Sequence, residues 1–581
     1  MIKELIRYLF NSIALIILEF KPEISKEFDS YQRFALSIRE EWEKLDIEFN
    51  ESGLKFDSEY NSIIKIISHF LNITKKINEK LNKNIYSGMI YSSPNFNINE
   101  KESLNIENIE DLYGLIMKKT WFWNSLHPIF GTINYWMNRK IVEYVSKMYG
   151  SEKYNSHNIC GIITTGGTES LNLAARMYKQ KWIREHFNRN FIKNFIFTII
   201  ILYLNYVIIS ESILYMSSIT IIFSWILFKR STRCVIFAPK SIHISLKKAE
   251  EDFEFDLVHY ENINDLRYLI YFYPNKAAVF GSYPSYALGN QDDIETIGEF
   301  CKQKKIPFHV DNCLGGFIFT ERSRKFLSKS SGITSISIDT HKNGLCPKGS
   351  SLLLTKEGDK KHEKYFRYCF YSYENWEGGL YGTPKFQGSS SCVETISTFY
   401  TLLLNNINFY EKESQEIQKT TFDIKELLII KLNATIYTLN PLNVIAFKIE
   451  GLPKYANYEL ASLMSKRGYC LSVLKDEILH FCITHQFLHK AIIYNFTNLN
   501  KKNDNDFINL FINEIKIVIN ELKSKNVESF SSESKVYCNA DMALSHNLSD
   551  DKLEYIFGPT ALRENIKQFT LSNLNPYLLN Q

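Results

Sequence analysis

Five short apolar runs, each ending where glycines or chemistry-bearing side chains begin, constrain this chain most. They are Gly161-Ile162-Ile163, Cys234–Ala238, Ala277–Phe280, Pro307–Asp311 and Ser335–Asp339. The stretches between them carry apolar residues at helical spacing. Leu171, Ala174, Ala175 and Tyr178 follow the first run, a helix opens at Lys247-Lys248-Ala249, and another is expected over Ile294–Lys302. Short strands alternating with helices predict an α/β fold with a mostly parallel sheet. In such open sheets ligands bind beyond the carboxyl ends of the strands. The residues at those ends are therefore the candidates for function.

The last run opens the stretch SISIDTHKNGLCPKGSS, Ser335 to Ser351. Ile336 and Ile338 alternate with Ser335, Ser337 and Asp339, the period of a half-buried strand. The strand stops at Thr340-His341-Lys342 and breaks at Gly344, Pro347 and Gly349. A lysine in a cleft there would have its pKa lowered by desolvation, freeing the amine for a Schiff base. Alone, Lys342 reads as an ordinary solvated lysine. Three other strand ends change that. Thr164–Ser170 (TTGGTES) is a glycine turn before a helix, a geometry whose exposed N–H groups and dipole hold phosphate. Ser241-Ile242-His243 follows the second run, and Asp311 ends the fourth, with Gly315-Gly316 beyond it. Together these supply what pyridoxal 5'-phosphate needs. Gly167 and Thr168 can bind its phosphate, His243 can stack on the ring, Asp311 can keep the ring nitrogen protonated, and Lys342 can link to the aldehyde.

The rest of the chain sets limits. A net charge of +4 over 581 residues gives no nucleic-acid footprint. The ten cysteines form no CxxC pair, which excludes a disulfide scaffold or zinc centre and implies reduced thiols. Residues 1–84 read as a helical arm whose apolar run Ile13–Leu18 suits an interfacial or docking helix rather than a span. Residues 85–400 read as the large domain, 401–530 as a smaller domain of helix and antiparallel strands (Asn443–Ile449, Ile478–Thr484), and 531–581 as a helical tail. A glycine-rich loop, Gly378–Ser389, precedes a helix over Val393–Leu404, and Phe507–Leu522 is amphipathic. Between about 190 and 231 lies an apolar insertion, with Glu211 as its one charge between Lys193 and Lys229. Its flanks belong to one domain, so an odd number of membrane crossings is excluded. A hairpin with cytosolic ends, an interfacial anchor, packing on the domain and a segment foreign to the fold all stay open.

The order of these motifs resembles the group II decarboxylase branch of fold-type I pyridoxal-phosphate enzymes. Within that branch the chain looks most like the sphingosine-1-phosphate lyases. The matching stretches are SGMIY (87–91), NSLHP (124–128), TGGTES (165–170), APKSIH (238–243), HVDNCLGGF (309–317), the DTHK–PKGSS stretch and HFCIT (480–484). The resemblance implies the transferase-like large domain with its mostly parallel sheet, plus a smaller α+β C-terminal domain. It also implies a homodimer that cleaves phosphorylated long-chain bases into a fatty aldehyde and phosphoethanolamine at the endoplasmic reticulum membrane, the catalytic domain facing the cytosol. Carried over by position, Lys342, His243 and Asp311 would be catalytic. Gly167, Thr168 and His341 would bind the cofactor, joined by Gly388 and Ser389 from the partner subunit. Tyr91, Asn124, His127 and Lys348 would bind the substrate. No metal is implied.

The sequence departs from that family at Ser390-Ser391-Cys392, where the family usually has Arg-Pro-Gly, and in the Asn-rich stretch Asn95–Asn108. Two other readings follow from the residues. An amino-acid decarboxylase of the same fold would need a carboxylate clamp, typically an arginine. A catalytically silent, membrane-associated homologue would not need Lys342, Asp311 and His243 intact.

Overall fold

The computed structural model describes residues 24–56, 58, 62–83, 108–151, 159–185, 233–358, 364–373, 377–378, 381–490 and 507–524. The apolar run Ile13–Leu18, Tyr91, the insertion around 190–231 and the tail 531–581 lie outside them. The chain divides into two compact units, residues 1–140 with 389–396, and residues 141–388 with 397–581.

In the first unit the described residues are mostly helical. Helices α1 (Ile24–Glu51), α2 (Ile63–Lys83) and α3 (Ile109–Thr120) lead to α4, Pro128–Met148. Asn108 starts α3 with a reciprocal capping box to Asp111, satisfying two end donors. Asp46 ties α1 to α4: it accepts from Trp136 Nε1 at 2.9 Å and pairs with Arg139 and Lys140. Burial would raise the Asp46 pKa, but the Lys140 and Trp136 hydrogen bonds and the two cations bring it below the ordinary carboxylate value. Phe49 packs edge-on against Trp136 beside this pair.

The second unit is built on a seven-stranded sheet. Its strands are β1 (Ile159–Thr164), β2 (Val235–Pro239), β3 (Asp256–Tyr260), β4 (Lys276–Ser282), β5 (Phe308–Asp311), β6 (Ser335–Ile338) and β7 (Ser351–Lys356). Their order across the sheet is β1-β7-β6-β5-β4-β2-β3. The five from β6 to β3 run parallel, and β7 runs antiparallel between β1 and β6. The sheet is thus mostly parallel, as the alternation predicts. One detail differs: β6 is buried at every position, not on one face only. A parallel sheet is covered on both sides, so its strands lose the polar-out alternation. Ser335 and Ser337 are tolerated inside because each hydroxyl has partners, among them His309.

Helix α5 (residues 167–185) follows β1, α6 (Ser245–Phe253) follows β2, α7 (Ile263–Phe272) follows β3 and α8 (Ile294–Lys304) follows β4. Past residue 392 come α9 (Val393–Leu404) and α10 (Ile407–Leu432), then a small antiparallel sheet. It contains Ala434–Ile436, Val444–Ile449, Leu479–Cys482 and Ser472–Val473 in that spatial order, with helices Ala456–Lys466 and Phe507–Ser524 beside it. Among the described residues no helix is long and apolar enough to cross a membrane.

Candidate active site

The carboxyl ends of β2, β4, β5 and β6 open on one cleft of about 740 Å³. It gathers Gly167, Thr168, His243, Asp311, His341, Lys342 and Lys348 from five separate places in the sequence. Each owes its place to a strand end or a helix start. Gly167 and Thr168 open α5, where unpaired N–H groups point outward. Gly167 must be glycine: a Cβ there would stand 2.9 Å from both Asp339 Oδ1 and Cys313 Sγ. Glu169 braces this turn, accepting from the N–H and hydroxyl of Thr165 and from the N–H of Phe386.

His243 lies just past β2. The Ser245 N–H donates to its Nδ1 at 3.2 Å, so the neutral ring carries its proton on Nε2. Asp311 is 7% exposed and its Oδ1 accepts from Cys313 N–H at 3.1 Å and from the Ser337 hydroxyl. Behind it, Gly315 allows a close turn, since a Cβ there would meet the carbonyl of Tyr283 at 2.3 Å.

Lys342 Nζ lies 2.9 Å from Asp339 Oδ2. This reverses the expected sign of its pKa. Burial alone would lower it, but Asp339, with Cys313 and Asp311 near it, holds the ammonium well above the ordinary lysine value. Desolvation alone, as expected from the sequence, gives the opposite sign because it leaves out the carboxylate three residues earlier. That spacing was the available signal. His341 Nδ1 accepts from the Ser350 N–H at 3.2 Å, leaving its Nε2 3.2 Å from Lys348 Nζ and 3.6 Å from Asp339 Oδ2. Burial pushes the His341 pKa down.

Other lining residues were not singled out from sequence. Tyr286 follows the end of β4, edge-on to His243, with its carbonyl bonded to His480 Nε2 at 3.1 Å. Lys248 lines the cleft from α6, and Phe386 and Gln387 line it from the glycine-rich loop of this same chain. Gly388 packs under the Tyr381 hydroxyl, where a Cβ would sit 2.1 Å away.

The remaining expected residues belong to the first unit. The side chain of Asn124 accepts from Leu126 N–H at 3.0 Å, turning its oxygen onto its own backbone. Burial lowers the His127 pKa, and its ring lies 5.6 Å from that of Phe130. The departure at Ser390-Ser391-Cys392 has a local explanation. Ser390 accepts from Ser125 N–H at 2.9 Å, Asn124 and Ser391 form a β-bridge, and Cys392 N–H reaches the Trp123 carbonyl. The serine hydroxyls of 125 and 390 meet at 2.7 Å. Ser389 precedes this bridged stretch. Among the described residues no group of His, Cys, Asp or Glu is arranged to hold a metal.

No family model matches the sequence. The chain is 28% identical over 391 residues to sphingosine-1-phosphate lyase 1 of Rattus norvegicus, an alignment covering 65% of this chain and 59% of that protein. It therefore spans under two thirds of that relative's length. Among solved structures, the sphingosine-1-phosphate lyase of Burkholderia pseudomallei superposes with a TM-score of 0.55 at 19% identity, covering 81% of this chain and 93% of that one. The glutamate decarboxylase of Lactobacillus brevis superposes with a TM-score of 0.54 at 14% identity, covering 72% and 86%. These superpositions establish the fold and do not separate a lyase from a decarboxylase. The chain is similar in sequence to the sphingosine-1-phosphate lyases and has the α/β fold of fold-type I pyridoxal-phosphate enzymes.

Proposed function

We propose that this chain is a pyridoxal-phosphate-dependent carbon–carbon lyase that cleaves phosphorylated sphingoid bases to a long-chain aldehyde and phosphoethanolamine. The observation that carries the reading is the convergence of Lys342, Asp311, His243 and the α5 N-terminus on one cleft. The cleft fits the cofactor on two structural counts. Gly167 forms a cradle that any side chain would fill, and the buried Asp339 Oδ1 has no hydrogen-bond partner among the described residues. The activity of the sphingosine-1-phosphate lyases that the chain resembles points the same way.

When bound, pyridoxal phosphate supplies an electron sink for the pair left by a breaking bond. The protein's part is binding, orientation and proton transfer. Gly167 and Thr168 present N–H groups to the cofactor phosphate. Asp311 holds the proton on the ring nitrogen, His243 offers its ring face, and Lys342 Nζ is the nucleophile. Proton transfer to and from the substrate falls to His243 Nε2 and Lys342 Nζ. Lys348 supplies a cation suited to a substrate phosphate dianion, the resemblance adds His127, Asn124 and Tyr91 as further substrate contacts, and His341 belongs with Gly167 and Thr168 among the cofactor-binding residues. Among the described residues, the lining includes Lys248, His341, Lys342 and Lys348 and no arginine that could serve as the carboxylate clamp of a decarboxylase. The same reading carries a homodimer in which a second copy supplies Gly388 and Ser389, and attachment to the endoplasmic reticulum membrane with the catalytic part in the cytosol.

Product analysis tests it. The purified protein with pyridoxal phosphate and a phosphorylated sphingoid base is expected to release a long-chain aldehyde and phosphoethanolamine. Lys342→Ala, one covalent catalytic group removed, is expected to lose several orders of magnitude in rate while keeping its fold. Near wild-type turnover in that variant would overturn the assignment. Carbon dioxide release from an amino acid would favour the decarboxylase.

A further inference from the structure

Asp339 is a buried carboxylate committed to the cleft. Its side chain is 3% exposed, and Oδ2 lies 2.9 Å from Lys342 Nζ and 3.6 Å from His341 Nε2. Its Oδ1 is buried and makes no hydrogen bond among the described residues. A buried carboxylate in this state is costly unless a cation or donor stays beside it. Lys342 cannot always fill that place, because its nitrogen must shed its protons to act as a nucleophile. His341 is the second candidate. Its Nδ1 accepts from Ser350 N–H, so the neutral ring carries its proton on Nε2, 3.6 Å from Asp339 Oδ2, and the donor-only Lys348 ammonium then makes no hydrogen bond to that nitrogen. Lys348, 3.2 Å from the same nitrogen, disfavours a second ring proton, so His341 acts as a neutral donor.

We propose that Asp339 is a positioning residue that holds the Lys342 ammonium in the cleft and is taken over by His341 Nε2–H when the Lys342 nitrogen is committed to the cofactor. This rests on the reading that Lys342 carries the cofactor. The other groups acting on Lys342 are Cys313 and Asp311 from the end of β5 and Cys482 from the small sheet. Burial keeps both thiols protonated, which leaves Asp339 as the charge in direct contact.

The test is amine labelling of the full chain, purified without added cofactor. Reductive methylation of Lys342 is followed by peptide mass spectrometry as pH is raised. In the wild type, Lys342 is expected to react at higher pH than exposed lysines. Asp339→Asn is expected to raise its labelling at about pH 8 by about tenfold or more, one unit of pKa being tenfold in free amine. Asp339→Glu is expected to restore slow labelling. A wild-type Lys342 that labels as early as surface lysines would overturn the proposal without any variant, as would an Asn variant with the wild-type profile. For the second half, His341→Gln loaded with pyridoxal phosphate is expected to release it about tenfold faster, the order for an unsatisfied buried group. Unchanged release would remove His341 from the proposal. If the wild type binds no pyridoxal phosphate, the functional reading fails while the labelling profiles still decide the Asp339–Lys342 pair.

Discussion

His309 and Asp311, two residues apart on β5, are joined through the hydroxyl of Ser337, which lies 3.3 Å from His309 Nε2 and 3.4 Å from Asp311 Oδ1. Burial pushes the His309 pKa down to about 3, so its ring is neutral at every working pH. The proton logic is then closed. Ser337 donates to Asp311 and accepts from His309 Nε2–H, and His309 Nδ1 accepts from Ser335, whose hydroxyl meets Tyr178. The acid at the strand end thus sits on a buried polar chain. Ser337→Ala leaves the Nε2–H without an acceptor. It is expected to cost about 1–3 kcal/mol of stability, read from denaturant unfolding. A loss within experimental error would show that His309 finds another partner.

Lys348 separates phosphate recognition from cofactor chemistry. Its ammonium stands at the His341 end of the cleft and touches neither Asp311 nor His243 in the hydrogen-bond network. Lys348→Met is expected to raise KM for a phosphorylated sphingoid base by about tenfold, as for a lost charge-assisted hydrogen bond. The absorbance of bound pyridoxal phosphate should not move. Equal use of phosphorylated and non-phosphorylated bases by the wild type would contradict this.

Asp292 gives a pH dependence with a definite sign. Burial raises its pKa to about 6, partly opposed by the N–H of Ser282 and reinforced by Asp311. Between about pH 4 and 6 the folded protein holds a proton that the unfolded chain has released. Stability from this group is therefore full below the unfolded value and is lost as pH rises through about 6. Asp292→Asn is expected to stabilise the protein at about pH 8, by no more than about 3 kcal/mol, and by about half as much at about pH 5. Melting temperatures at the two pH values check it; an equal shift at both would exclude the titration.

The apolar insertion is separable from the cofactor site by experiment. The described chain breaks off after Glu185, in α5, and resumes at Arg233, before β2. Replacing Phe191–Arg230 with a short polar linker is expected to leave pyridoxal-phosphate binding intact and to raise solubility. Loss of binding would make the segment part of the core.

What the sequence revealed follows distance along the chain. The strand ends were legible because glycines and acids interrupt apolar runs locally: Asp311, His243 and Lys342 all fall where their runs predict. The Ser337–His309 and Tyr178–Ser335 contacts were not, since their partners lie 28 and 157 residues apart. Two serines alternating with isoleucines look like a wet face until those partners are known. Asp339 failed for another reason. It fits the strand alternation so well that its charge read as an outward polar residue, whereas it turns inward to Lys342.

The stretch carrying Lys342 is the link between β6 and β7, two adjacent antiparallel strands in which Ile338 pairs with Leu352 and Ser337 with Leu353. Both ends of the link are therefore stitched into the middle of the sheet, with β5 on one side and β1 on the other. The backbone that carries the amine is thereby anchored at both ends of the link. A one-residue slip in that pairing would turn every side chain of the strand to the opposite face. The reach of the nucleophile is thus inherited from a ladder of main-chain bonds, and drift in the loop sequence alone cannot carry it away.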